Sequence, residues 1–230
     1  MKGLLKTVLI KTLPVMTGYI ALGIGFGILL YSKGYGILWS VLMAVVIYAG
    51  SMQYAAVNLI AGGASLITTA LTTLFVNARH SFYGISMLGK YKGAGAKKPY
   101  LIFALTDETY SLLCGEDYPE NVNKDKYQFL VSIFNHFYWI TGCALGSIIG
   151  FAIPFNTAGI DFCMTALFVT IFVEQWLSTK EHIPALIGLL SSVICLIIFG
   201  IDSFLIPSML LISLLLILFK GILTKGDNNE

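Results

Sequence analysis

Residues 37–60 read ILWSVLMAVVIYAGSMQYAAVNLI. A helix rises 1.5 Å per residue, so roughly 20 apolar residues cross the ~30 Å hydrocarbon layer of a membrane. This run is long enough to do so. Its second half is unlike a helix that faces lipid, because Tyr48, Gly50, Ser51, Gln53, Tyr54 and Asn58 bring small and polar groups into one apolar segment. Close helix packing accounts for Gly50 and Ser51, but not for both Gln53 and Asn58. The stretch predicts a membrane segment that lines a polar site, with a place at YAGSMQY where the helix can unwind.

The rest of the chain extends this reading. It has 230 residues, 57% hydrophobic and only 11% charged, with a mean hydropathy of +0.84; a soluble globule carries roughly a quarter of its residues charged. The chain is therefore read as an all-α, polytopic membrane protein. The alternating, turn-punctuated pattern of an outer-membrane barrel is missing. Apolar runs near 8–31, 37–60, 64–88, 127–151, 158–177, 183–200 and 203–221, with a shorter run at 99–114, predict seven or eight membrane segments in a single membrane domain. The first run lies behind Lys2, Lys6 and Lys11 with no small-residue cleavage motif, which predicts a retained helix. The polar stretch GEDYPENVNKDK (115–126) reads as a surface loop that divides the chain near its middle.

Charge and motif content exclude several function classes. A formal charge of +2 offers no basic face for nucleic acid. Cys114, Cys143, Cys163 and Cys195 stand singly among apolar residues and read as small buried hydrophobes. Metalloprotease, hydrolase and phosphate-loop signatures are missing, and the histidines are dispersed, so no enzyme, metal site or cofactor is expected.

Lysine placement poses a topological conflict. Cytoplasmic segments collect Lys and Arg, and two clusters, Lys2, Lys6, Lys11 and Lys90, Lys92, Lys97, Lys98, ask for the same side. Three complete crossings between them would place them on opposite sides. The expectation is that one of the first three runs is broken, either at YAGSMQY or at NARH (77–80).

The two halves resemble one another. TGYIALGIGFG (17–27) matches TGCALGSIIG (141–150), Gly36-Ile37 matches Gly159-Ile160, and Gln53-Tyr54 matches Gln175-Trp176, all at a nearly constant offset. This predicts an internal repeat, 8–98 against 127–221 with 99–126 between them, either parallel or inverted. Duplicated bundles of this kind are typical of secondary transporters, whose sites sit where helices are interrupted near the bilayer midplane. The G-x-x-x-G spacings Gly23/Gly27 and Gly142/Gly146/Gly150 also suit close helix packing alone. Pro14, Pro154, Pro184 and Pro207 are expected at helix starts.

The polar residues inside the apolar runs are the candidate site. Arg79 is the sole arginine of the chain and lies in TLFVNARHSFYGI (73–85) with Asn77 and His80. Burying it in lipid costs several kcal/mol, so it either clamps an anionic group of a substrate or pairs with an acid, the choices being Asp107, Glu108, Glu174 and Asp202. TDETY (106–110) offers adjacent carboxylates, which helical geometry points about 100° apart. Membrane carboxylates commonly carry coupling protons. Asn135-His136, set in FNHFYW, reads as part of an aromatic interfacial belt.

PVMTGYIALGIGFGIL (14–29), YAGSMQYAAVNLI (48–60), NARHSFYGISM (77–87), TDETY (106–110) and GIDFCMTALFVTIFVEQW (159–176), in that order, resemble the successive motifs of the AzlC family, the large subunits of branched-chain amino acid exporters. Met52 and Glu174 are mild departures from the family pattern. The resemblance implies export of valine, leucine, isoleucine and sometimes methionine from the bacterial cytoplasm, through a multi-pass protein of the cytoplasmic membrane that works with a small AzlD-like membrane subunit. It also implies a substrate site in which Arg79 meets the carboxylate end, Asp107 or Glu108 serves the ammonium or a coupling proton, and Tyr48, Ser51, Gln53, Asn77 and His80 complete the set. The rival expectation is a membrane scaffold or regulatory subunit whose polar residues bind a partner's helices.

Overall fold

The computed structural model describes residues 2–114, 122–152, 161–178, 182–201 and 203–223. Every described element is helical: α1 (Lys2–Ser32), α2 (Ile37–Val46), α3 (Gly50–Ala61), α4 (Leu66–Met87), α5 (Lys98–Phe103), α6 (Asp107–Leu113), α7 (Lys124–Ala152), α8 (Asp161–Ser178), α9 (Ile183–Phe199) and α10 (Leu205–Leu223). Two of them, α1 and α7, are long and apolar enough to cross a membrane alone, and the shorter helices 37–46, 183–199 and 206–219 are apolar as well. The chain divides into two compact units, residues 1–64 with 76–167, and residues 65–75 with 168–230. In the second, α9 packs on α10 and the Trp176 ring stacks on His182. Pro154, Gly159, Asp202, residues 115–121 and the side chains of Cys163, Glu174 and Gln175 lie outside the described residues.

The first unit is built on the contact between α1 and α7. A Cβ on Gly23 would sit 2.9 Å from the Gly142 Cα, one on Gly142 2.8 Å from the Tyr19 carbonyl oxygen, and one on Gly146 would overlap the Ile24 carbonyl. The glycine spacings thus bring backbone against backbone, the arrangement that small-residue stripes permit in membranes. Tyr19 meets Gly142, Ile24 meets Gly146 and Tyr31 meets Gly150, so the two helices run in the same direction. A duplication built on these two stretches is parallel.

Between them the chain makes two hairpins of half-length helices. The run 37–60 is not one span: α2 enters from the far end of α7, where the Ser40 hydroxyl donates to the Cys143 carbonyl at 2.9 Å, and reaches mid-length, where Tyr48 stacks on His136 with ring centroids 4.1 Å apart. There it turns. α3 goes back the way α2 came, with the Tyr54 hydroxyl donating to the Leu22 carbonyl at 2.6 Å and its ring against Phe26. The run 99–114 does the same from the opposite end: Tyr100 packs on Phe129, Phe103 reaches Tyr48, and α6 returns to stack Tyr110 on Tyr83 at 4.5 Å.

This layout resolves the lysine conflict. α4 passes unbroken through NARH, so the interruption falls in the second run, at 47–49. The end of α4 and the segment after it join Val8 of α1, Leu101, Leu113 and Tyr127 in one apolar cluster through Met87, Tyr91 and Ala94. The Lys90 ammonium donates to the carbonyls of Leu113 and Cys114. Lys6, Lys11, Lys90, Lys92, Lys97, Lys98, Lys124 and Lys126 therefore flank one end of the unit, and Lys33 follows the other end of α1. Cysteines introduced as Lys6→Cys and Lys92→Cys should react with an impermeant maleimide from the same side of the membrane, and Lys33→Cys from the other. Labelling of Lys6→Cys and Lys92→Cys from opposite sides would show that 37–60 crosses completely.

Proline placement is mixed. Pro184 sits at the first turn of α9 as expected, but Pro14 lies inside α1. Proline is tolerated inside membrane helices, where neighbouring Ser and Thr side chains re-satisfy the backbone, and the Thr17 hydroxyl donates to the Pro14 carbonyl at 2.8 Å.

Candidate functional site

The tips of the two hairpins meet about half-way along α1 and α7. At the first tip Tyr48 has φ +43°, the one positive φ at a non-glycine among the described residues, which costs about 1 kcal/mol or more. Its ring is held between Tyr19, Phe103 and His136, and this packing over-determines the turn. His136 is fixed in its own right: its Nε2 lies 3.2 Å from the Ala44 carbonyl and its Nδ1 3.1 Å from the Tyr100 hydroxyl. A carbonyl only accepts, so Nε2 carries the hydrogen and Nδ1 accepts from the tyrosine.

Arg79 projects from α4 between the tips. Its Nη1 lies 2.9 Å from Asp107 Oδ2 and its Nη2 donates to the Ser51 hydroxyl at 2.6 Å. One guanidinium thereby ties the first turn of α3 to the first turn of α6, a two-pronged contact that the fork of arginine makes and the point charge of lysine does not. Asp107 is the acid partner among those the sequence offered. α6 begins with Thr106 as its cap, the hydroxyl accepting from the Thr109 N–H. Asp107 and Glu108 then occupy the first turn, where the helix dipole favours negative charge.

Glu108 faces elsewhere. Its Oε2 accepts from the Tyr19 hydroxyl at 2.7 Å, and Tyr19 is also 2.6 Å from the Thr106 hydroxyl. Thr106 bonds Thr109 at 3.0 Å, and Asn135 of α7 donates to the Thr109 hydroxyl at 3.0 Å. Beside this chain the Trp139 indole N–H donates to Gln53 Oε1 at 2.8 Å, and Gly50 lets the start of α3 approach the Trp139 ring, where a Cβ would sit 3.1 Å away.

Several buried polar atoms here have no hydrogen-bond partner: Gln53 Nε2, Asn77 Oδ1, Arg79 Nε and Asn135 Oδ1. Orphaned groups of this kind are costly and rare in finished cores. The start of α3 adds backbone donors, since Ala49 caps it with no side-chain bond. The arrangement offers a cation, two carboxylates and unspent donors and acceptors within an aromatic cage.

Of the expected site residues, the structure joins Tyr48, Ser51, Gln53, Arg79, Asp107 and Glu108 around the hairpin tips. Asn77 and His80 lie on the same helix as Arg79; the His80 ring lies 3.2 Å from the Asn77 carbonyl and edges Tyr83, with no bond to the Arg79 network. The reading of Asn135 and His136 as an interfacial belt is corrected: both are buried, at 0% and 8% exposure, near mid-length of α7. A polar pair in the middle of a 29-residue helix was the signal, and the aromatic neighbours pointed away from it. Tyr19, Thr106, Thr109 and Trp139 were not anticipated. Tyrosine and threonine occur throughout apolar helices, and only the tertiary contacts distinguish these.

A family model described as AzlC protein matches residues 14–153, a range that contains every residue of this site. The chain is 47% identical over 197 residues to the branched-chain amino acid transport protein AzlC of Bacillus subtilis, covering 86% of this chain and 78% of that one. It is 43% identical to an uncharacterized membrane protein of Haemophilus influenzae over 86% of this chain and 81% of the other. It is 26% identical to the inner membrane protein YgaZ of Escherichia coli over 79% and 78%. No solved structure matches.

Proposed function

The chain belongs to the AzlC family, and from that premise we propose that it is the large subunit of a secondary transporter that exports branched-chain amino acids across the cytoplasmic membrane of a bacterium. Valine, leucine and isoleucine are its substrates, with methionine as a related one, and a small AzlD-like membrane protein is its partner. The coarser statement, a membrane protein of a family named for transport, needs no proposal.

The observation that carries the reading is the constellation at the hairpin tips. A zwitterion with an apolar side chain needs a cation for its carboxylate, an anion for its ammonium and an apolar wall. Arg79, with Ser51 and the open first turn of α3 beside it, supplies the first; Asp107 supplies the second; Tyr48, Phe103 and Trp139 supply the third. Gln53 adds an amide donor, and Asn77 and His80 flank the site on α4. Interrupted helices that aim their ends at a mid-membrane site are the recurring device of secondary transporters. The outward residues, among them Leu38, Phe82, Ile85 and Phe151, are exposed large hydrophobics, a surface that lipid and a small membrane subunit would cover.

The scaffold reading loses its main support, because Arg79 has its acid inside the chain and needs none from a partner. The test is efflux of labelled valine, leucine, isoleucine and methionine from loaded cells that express the chain with and without its small partner. Efflux that requires both proteins is the expected result. No efflux from cells in which both are present in the membrane would leave the scaffold reading in its place.

A further inference from the structure

Resting on that transporter reading, we propose that the two adjacent carboxylates of α6 divide their work: Asp107 belongs to Arg79 and the substrate, whereas Glu108 is the group that takes up and releases the coupling proton. The two side chains leave the same helical turn in different directions, and the groups they meet differ in kind. Asp107 meets a guanidinium at 2.9 Å. Glu108 meets the neutral hydroxyl of Tyr19 at 2.7 Å.

Charge arithmetic makes the difference matter. Arg79 and Asp107 cancel, and among the described residues no basic group other than Arg79 is among the charges that act on Glu108. An uncompensated charge is expensive in the membrane interior, and one proton on Glu108 removes it. The charged and titratable groups around Glu108 are Tyr19 of α1, Tyr48 at the α2–α3 turn, Arg79 of α4 and its own neighbour Asp107.

The surroundings suit a carboxyl that changes state. Tyr19 donates to the carboxylate and joins it to Thr106, Thr109 and Asn135 through rotatable hydroxyls. Asn135, fully buried with Oδ1 unpartnered, keeps an acceptor in reserve beside this chain. A protonated carboxyl gains one O–H donor and needs an acceptor. The step is a proton transfer alone, carboxylate to carboxylic acid and back, with no other bond made or broken. When the loaded site passes outward with Glu108 ionised and the empty site can return only with Glu108 neutral, each outward passage of substrate is tied to an inward passage of one proton.

The test uses proteoliposomes holding the chain with its small partner. Two modes are compared: net efflux under an imposed pH gradient, and exchange of labelled for unlabelled leucine at equal pH. Glu108→Gln, permanently neutral, should keep exchange and lose all response to the pH gradient. Asp107→Asn should lose both modes. Tyr19→Phe should shift the pH dependence of net efflux while leaving the KM of exchange unchanged, and it serves as the readout where Glu108→Gln does not assemble. A Glu108→Gln protein still driven by the pH gradient, a Glu108→Gln protein that has lost exchange, or a wild type driven by sodium but not by protons overturns the proposal. A wild type that transports nothing overturns the transporter reading itself.

Discussion

Arg79→Ala is expected to reduce efflux to the background of cells that lack the protein, with the variant still present in the membrane fraction. The substitution removes the one cation of the site and leaves Asp107 without its partner. Breaking a fully buried pair costs about 3–5 kcal/mol; here the two side chains keep 22% and 31% exposure, so the loss of stability falls below that range. The discriminating variants separate structure from function. If Arg79 and Asp107 served only to neutralise each other, the double variant Arg79→Ala with Asp107→Ala, which removes both charges, would restore efflux. The expected outcome is a double variant that assembles as well as wild type and remains inactive. Arg79→Lys should fall well short of wild type as well, because an ammonium cannot hold Asp107 and Ser51 in the two-pronged geometry that joins α3 to α6.

Gly146→Val is the second large effect, and it acts on assembly. A Cβ at this position would overlap the carbonyl of Ile24, and the atom met is backbone, which cannot swing aside. α1 and α7 would have to separate along their whole contact, taking with them the Tyr54 bond to Leu22 and the Trp139 bond to Gln53. Overpacking a tight core costs about 1–3 kcal/mol, and the backbone contact puts this site at the upper end or beyond. The thermal midpoint of the purified protein in detergent should drop sharply, or the protein should fail to accumulate. Gly18→Ala is the control: nothing lies within 4 Å of a Cβ there, and alanine is favoured over glycine in a helix interior by up to about 1 kcal/mol. Equal losses from both substitutions would mean that the glycine stripe does not set the approach of α1 to α7.

Hydropathy and length determined that the chain is helical and apolar enough for a membrane, because burying a backbone in hydrocarbon leaves few alternatives to helix. The same reasoning singled out Arg79, Asp107, Glu108 and Gln53, which are conspicuous in an apolar chain. Lysine counting even required a broken segment among the first three. It left open whether YAGSMQY or NARH was the place, because an unwound turn and a packed polar helix have the same composition.

Only the tertiary structure decided how these pieces meet. The turn at Tyr48 exists because Tyr19, Phe103 and His136 close around one ring, and those residues come from three separate segments. Which acid Arg79 pairs with depends on the start of α6 facing α4, a long-range contact that no local pattern encodes. The depth of Asn135 and His136 is set in the same way. An aromatic belt and a buried stack differ in what lies on the other side, and that is settled by the fold as a whole.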